Sequence, residues 1–235
     1  MTNRPMTARP MTTRPMTAGP MTTPGRTLHA ITAADRPLDA APVVAVFLHG
    51  FGSHEHDLAG LASALPDDLP WVSLRAPLAA GPGGFAWFPI AEPGKPDSAA
   101  VASATAAIWA WADATLPDDT RIVPIGFSQG GLMASQLLRT APERVLAPVI
   151  LGGFVQAAEQ PADAELARTR PAVFSGRGLD DRVIAATAVT RTDAWLPAHT
   201  TPTLRSYPGL AHGIDARELA DVRAFLAEQL APAGA

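Results

Sequence analysis

One serine in this sequence sits where its hydroxyl could attack a carbonyl. Ser128 lies in Gly126-Phe127-Ser128-Gln129-Gly130-Gly131, between an apolar run at 121–125 that reads as a strand and a segment at 132–139 with helical apolar spacing. A serine on a sharp strand-to-helix turn is forced into a strained backbone conformation, and its hydroxyl then stands clear of the chain. Side chains at 126 or 130 would crowd that turn, and glycine has none. The following helix points its N-terminus at the hydroxyl, where positive partial charge favours a developing oxyanion. The chemistry implied is nucleophilic acyl transfer, which also needs a base, a carboxylate to orient the base, and backbone donors for the oxyanion.

Those partners have to be carried to Ser128 by other elements. Residues 43–48 form a continuous apolar run, as expected of a buried parallel strand. Residues 57–65 have helical spacing and stop at Pro66; 71–74 reads as a strand; 98–116 forms a long alanine-rich helix whose Ile108, Trp109 and Trp111 are assigned to the core. Strands are expected at 146–151, 172–175 and 203–207, with helices at about 184–196 and 215–230 between and after them. This order predicts an α/β fold with a mostly parallel central sheet covered by helices on both faces, and no large helical cap inserted between strands. Pro124 lies inside a central strand, where it removes a ladder hydrogen bond, so a local irregularity is expected there.

Glycine two residues either side of a serine at such a junction is the nucleophile elbow of α/β-hydrolases, in which the acid and then the histidine follow the serine, each after a later strand. Only two of the six histidines lie beyond Ser128. His199 sits in a helix-to-strand connection, at the wrong end of the sheet, which leaves His212, in Tyr207-Pro208-Gly209-Leu210-Ala211-His212-Gly213, as the base. The strand at 172–175 leads into Gly178-Leu179-Asp180-Asp181-Arg182-Val183-Ile184, which offers two adjacent acids. For the oxyanion, the loop Leu48-His49-Gly50-Phe51-Gly52-Ser53 supplies a second donor, so Phe51 N–H and Gln129 N–H are expected to form the pair. His49 itself reads as a structural hydrogen-bonder beneath that loop.

These four stretches in register resemble the phospholipase/carboxylesterase family of α/β-hydrolases, which includes acyl-protein thioesterases and small bacterial carboxylesterases. The resemblance covers roughly residues 40–230. It implies a Ser-Asp-His triad, no metal, no cofactor, and hydrolysis of carboxylic esters or thioesters. The family's pattern around the acid falls on Gly178, Asp181, Val183 and Ile184, and so selects Asp181 over Asp180. Trp87 and Phe88 match a tryptophan-containing loop that borders the family's substrate pocket. Family members often have His-Gly where this chain has Ser175-Gly176, and proline where it has Ala185. Neither departure touches the triad. The resulting expectation is a serine carboxylesterase acting on short- to medium-chain esters, with thioesters or lysophospholipids as further substrates. The alternatives are a peptidase or lactonase on the same fold and a non-catalytic binding module.

Composition narrows the partners. Net charge is −4, and because residues 1–34 carry four arginines and no acid, the remainder sums to −8. That excludes a basic nucleic-acid patch; the partner the resemblance implies is a small-molecule acyl ester, and oligomeric state has no signature here. There is no cysteine, hence no disulfide or thiolate site. No apolar run approaches the roughly 18 residues of a membrane span, and a cytoplasmic protein is the expectation. His54-Glu55-His56-Asp57 superficially suggests a metal site, but alternate residues at a helix start do not converge on one ion. Met1, Met6, Met11, Met16 and Met21 recur every five residues with interleaved prolines, so 1–25 reads as a disordered, dispensable tail and 26–235 as one domain.

Overall fold

The run Val43–Leu48 determines the layering. Val44, Val46 and Leu48 join one apolar core and Ala45 and Phe47 the other, as a two-residue repeat requires, and all five are fully buried. Such a strand must lie inside a sheet covered on both faces. The computed structural model describes residues 28–33 and 38–231, and the 1–25 repeat lies outside the described residues. The chain runs β1 (Ala30–Thr32), β2 (Val43–Leu48), a 3₁₀ helix (Ala59–Ala64), β3 (Trp71–Leu74), β4 (Leu78–Ala79), β5 (Phe85–Ala86), α1 (Ser98–Thr115), β6 (Arg121–Phe127) and α2 (Gln129–Thr140). A 3₁₀ turn (Pro142–Arg144) precedes β7 (Val149–Leu151), α3 (Asp163–Thr169), β8 (Ala172–Gly178), α4 (Ala186–His199), β9 (Thr201–Tyr207) and α5 (Ala216–Gln229).

Seven strands form one sheet in the order β1-β3-β2-β6-β7-β8-β9, parallel throughout except for the β1–β3 pair; β4 and β5 make a separate hairpin. Helices α1 to α4 contribute Ile108, Leu137, Leu166 and Leu196 to the core on one face, while α5 contributes Val222, Phe225 and Leu226 to the other. This is the α/β-hydrolase architecture expected from the sequence. Neither long connection on the site edge, 75–97 or 152–162, contains a helix. The C-terminal ends of β2, β6, β8 and β9 open at that edge, where ligands of parallel sheets characteristically bind.

The segment 57–65 departs from the expected α-helix. It forms 3₁₀ turns, with Leu61 N–H bonded to Leu58 O and Leu65 N–H to Ala62 O. Two tight turns already bury Leu58 and Leu65, and Pro66 holds Leu65 extended, so no further helical turn can be added. The strand expected at 146–151 begins only at Val149 because Ala147 turns to φ 46°. That turn accommodates Pro124. Arg121 N–H bonds Pro42 O on the β2 side, so by alternation the nitrogen of residue 124 faces β7. There the ladder lapses between Leu146 N–H, bonded to Ile122 O, and the Ile125–Val149 pair, and the missing donor falls in the gap.

Candidate active site

Ser128, between β6 and α2, has φ 55° and ψ −113°, a conformation rare outside glycine. The flanking glycines are required by packing. A Cβ at Gly126 would collide with the Gly130 carbonyl, and one at Gly130 with the Leu48 carbonyl, so the elbow lies directly on the end of β2. Ser128 N–H is bonded to Leu151 O, and α2 starts at the next residue.

His212 Nε2 lies 2.9 Å from Ser128 Oγ, and His212 Nδ1 lies 2.7 Å from Asp181 Oδ2. With Nδ1–H donating to the carboxylate, Nε2 is left to accept the serine proton. The imidazole is held against the Phe127 ring, with centroids 4.8 Å apart, and against Gly152, where a Cβ would stand 3.6 Å from the ring. Gly178 lets the loops carrying Asp181 and His212 close together, since a Cβ there would meet the Leu210 and Ala211 carbonyls. Asp181 Oδ1 accepts from Val183 N–H (2.8 Å) and Ile184 N–H (3.2 Å). Burial pushes the Asp181 carboxyl up, but hydrogen bonds from His212, Val183 and Ile184 outweigh it and leave the group below the usual carboxylate range. Asp180 is exposed and meets the site only through its backbone N–H, bonded to Leu210 O.

The loop after β2 faces the elbow. Gly52 N–H is bonded to Phe85 O and Ser53 N–H to Gly50 O, whereas Phe51 N–H has no such partner among the described residues. Gln129 N–H, at the first position of α2, cannot bond within its helix. The two donors expected at the oxyanion are therefore both available. Beneath them His49 is fully buried, its Nδ1–H donating to Gly50 O (2.7 Å) and its Nε2 accepting from Ala76 N–H (3.1 Å). Burial pushes its pKa down, which keeps this bridge neutral.

Trp87 is not a wall of the cleft. It is 1% exposed and packed under the site, its Nε1–H donating to His49 O (2.9 Å). The Gln129 side chain, which sequence reasoning passed over, accepts from Trp87 N–H (2.8 Å) and donates to Phe88 O (2.7 Å), tying the 85–88 strand end to the elbow. Phe88 does reach the cleft, an apolar hollow of about 180 Å³ that it shares with Phe51, Ser128, Phe154 and Ile184. Glu55, from the metal-like cluster, is instead buried against Arg75, whose hydrogen bonds hold the carboxyl down to about 2. Among the described residues no three side chains converge as metal ligands, and no helix is long and apolar enough to cross a membrane.

Residues 29–230 match the Phospholipase/Carboxylesterase family. An acyl-protein thioesterase 1 of Cryptococcus neoformans is 27% identical over 228 residues, 83% of this chain and 95% of that protein. Among solved structures, a carboxylesterase of Bacillus cereus superposes with a TM-score of 0.71 at 18% identity, covering 86% of this chain and 94% of its own. The esterase PE8 superposes with a TM-score of 0.67 at 26% identity, covering 87% of this chain and all of its own (100%).

Proposed function

Because the chain belongs to the phospholipase/carboxylesterase family, we propose that it hydrolyses carboxylic esters of short- to medium-chain acids through an acyl-enzyme on Ser128. His212 Nε2 takes the hydroxyl proton as Ser128 Oγ attacks the ester carbonyl, and Phe51 N–H and Gln129 N–H receive the oxyanion. The imidazolium then protonates the leaving alcohol, and water repeats the sequence to release the acid. Asp181 holds Nδ1 protonated, so that Nε2 stays the basic nitrogen. The observation that carries this reading is the unbroken hydrogen-bonded chain Ser128–His212–Asp181, opening on an apolar cleft. The cleft's lining by Phe51, Phe88, Phe154 and Ile184 favours an apolar acyl group.

The test is labelling by a fluorophosphonate probe, followed by turnover of p-nitrophenyl esters of increasing chain length. Labelling at Ser128 with turnover supports the reading, and absence of both favours a binding module. Amide and lactone substrates turned over faster than esters would favour the peptidase or lactonase reading. The thioesterase named among the relatives makes a matched O-ester and S-ester pair the natural second comparison.

A further inference from the structure

One wall of the cleft is an arm with little structure of its own. Residues 88–96 contain Pro89, Pro93 and Pro96 and form neither helix nor strand, yet Phe88, Glu92 and Gly94 line the cleft. The arm is fixed at its root by the Gln129–Phe88 hydrogen bond. Its other anchor is Arg191 on α4, whose Nη2 donates to Gly94 O (2.9 Å) and whose Nε donates to Val155 O (2.8 Å). Gly94, at φ 76°, lies flat on the start of α4: a Cβ there would stand 2.8 Å from Ala185 Cβ and 3.1 Å from Ala188 Cβ. Both hydrogen-bond partners of Arg191 are neutral carbonyls, and burial together with neighbouring Arg139 pushes its pKa down. A cation is thus kept here against an electrostatic cost, where its two-pronged geometry joins the arm to the loop after β7, which Gln156 Nε2 also ties to Ser98 Oγ (2.8 Å) at the start of α1.

We propose that Arg191 is the positioning residue that latches this arm, and that the latch sets how long an acyl chain the cleft accepts. The proposal rests on the esterase reading above. Ala185, under Gly94, lines both the cleft and an adjoining hollow that Gly153, Arg182 and Val189 share. With the latch closed, the acyl chain is confined to the first space. Released, the arm lifts from Ala185 and the two spaces join.

The experiment compares wild type, Arg191→Ala and Arg191→Lys on p-nitrophenyl esters from acetate to dodecanoate, with kcat and KM determined separately. Each extra methylene accepted by an apolar cleft is worth about fourfold in kcat/KM. Arg191→Ala should therefore raise the octanoate-to-butyrate ratio about tenfold or more, through KM, while kcat on butyrate stays within about threefold. Arg191→Lys, which keeps the charge but lacks the rigid two-pronged fork, should fall between. Amide exchange at Lys95, whose N–H belongs to the Gly94 peptide held by Arg191 and is bonded to Glu92 O (3.1 Å), should accelerate in Arg191→Ala. An unchanged ratio in a folded Arg191→Ala protein overturns the proposal. Should that variant not fold, Gly94→Ala carries the test: its Cβ pushes the arm from α4 with Arg191 intact, the same rise is expected, and a flat ratio overturns the latch. If wild type hydrolyses no ester, the esterase reading fails, and the exchange rates alone judge the latch, unaccelerated exchange overturning it.

Discussion

Ser128 is held at φ 55° and ψ −113°, which costs a non-glycine residue about 1–3 kcal/mol. Ser128→Ala keeps that strain and should melt with wild type while losing ~10⁴-fold or more in ester turnover. Ser128→Gly should be equally inactive but more stable by about 1 kcal/mol, since glycine adopts the conformation freely. A glycine variant no more stable than the alanine one would mean that the elbow is unstrained. The neighbouring acids separate similarly. Asp181→Asn should keep the fold and lower turnover ~10²–10⁴-fold by misdirecting the His212 tautomer. Asp180→Asn, exposed and apart from the imidazole, should stay within about threefold. Two active mutants would place the orienting acid elsewhere. Residues whose backbone geometry demands a particular type were legible in the sequence: Gly126 and Gly130 allow contacts that no other residue could make, and they bracket Ser128, whereas Asp181 was separated from Asp180 only by the family pattern that begins at Gly178. Trp87 and Arg191 were not. A tryptophan in a glycine-rich loop looks the same whether it lines a cleft or supports one, and only the contact with His49 O distinguishes them.

At the scale of elements, α2 and α3 are joined by a buried ion pair. Arg139, 1% exposed, meets both carboxylate oxygens of Asp163 at 2.8 and 2.6 Å and also donates to Gln156 O and Ala158 O. Arg139→Ala leaves Asp163 unpaired and should cost about 3–5 kcal/mol in a urea unfolding titration. Arg139→Met combined with Asp163→Leu should recover much of that loss, though not all, because Gln156 O loses its donor and Gln160 N–H its acceptor. A double variant as unstable as the single one would mean that packing, not the stranded charge, sets the cost. Helix α3 escaped sequence reading because its seven residues, Asp163–Thr169, span too few turns for an apolar period to show. The 57–65 segment misled for the converse reason: two leucines seven apart satisfy a helical period, yet two 3₁₀ turns suffice to bury both. The long elements were legible, because in α1 and β6 the pattern repeats often enough to exclude other readings.

Across the whole molecule, the parallel sheet gathers the ends of β2, β6, β8 and β9 at one edge, and α5 closes the opposite face from the core of α1 to α4. That closure traps a carboxyl. Glu218 is fully buried at the start of α5, pressed on Gly176 of β8, and neither of its oxygens has a hydrogen-bond partner among the described residues. Burial, reinforced by Asp215 and Asp221, pushes it up to about 8. Asp215 is itself engaged by Arg217, and Asp221 by the Tyr207 hydroxyl and Arg205, and among the described residues no cation pairs with Glu218. The folded pKa thus stands above the unfolded value of 4.5. The contribution of protonated Glu218 to stability is fully present below that value and lost as pH rises through about 8, because the unfolded chain sheds the proton first. The isosteric Glu218→Gln has no proton to lose. Its stability should match wild type near pH 4.5 and exceed it by a margin that widens by up to about 1.4 kcal/mol per pH unit, levelling off above pH 8. Paired urea titrations across that range read the margin directly. A constant offset would show that Glu218 ionises in the folded protein as it does in the unfolded chain, with its charge met by a partner that reaches it under α5.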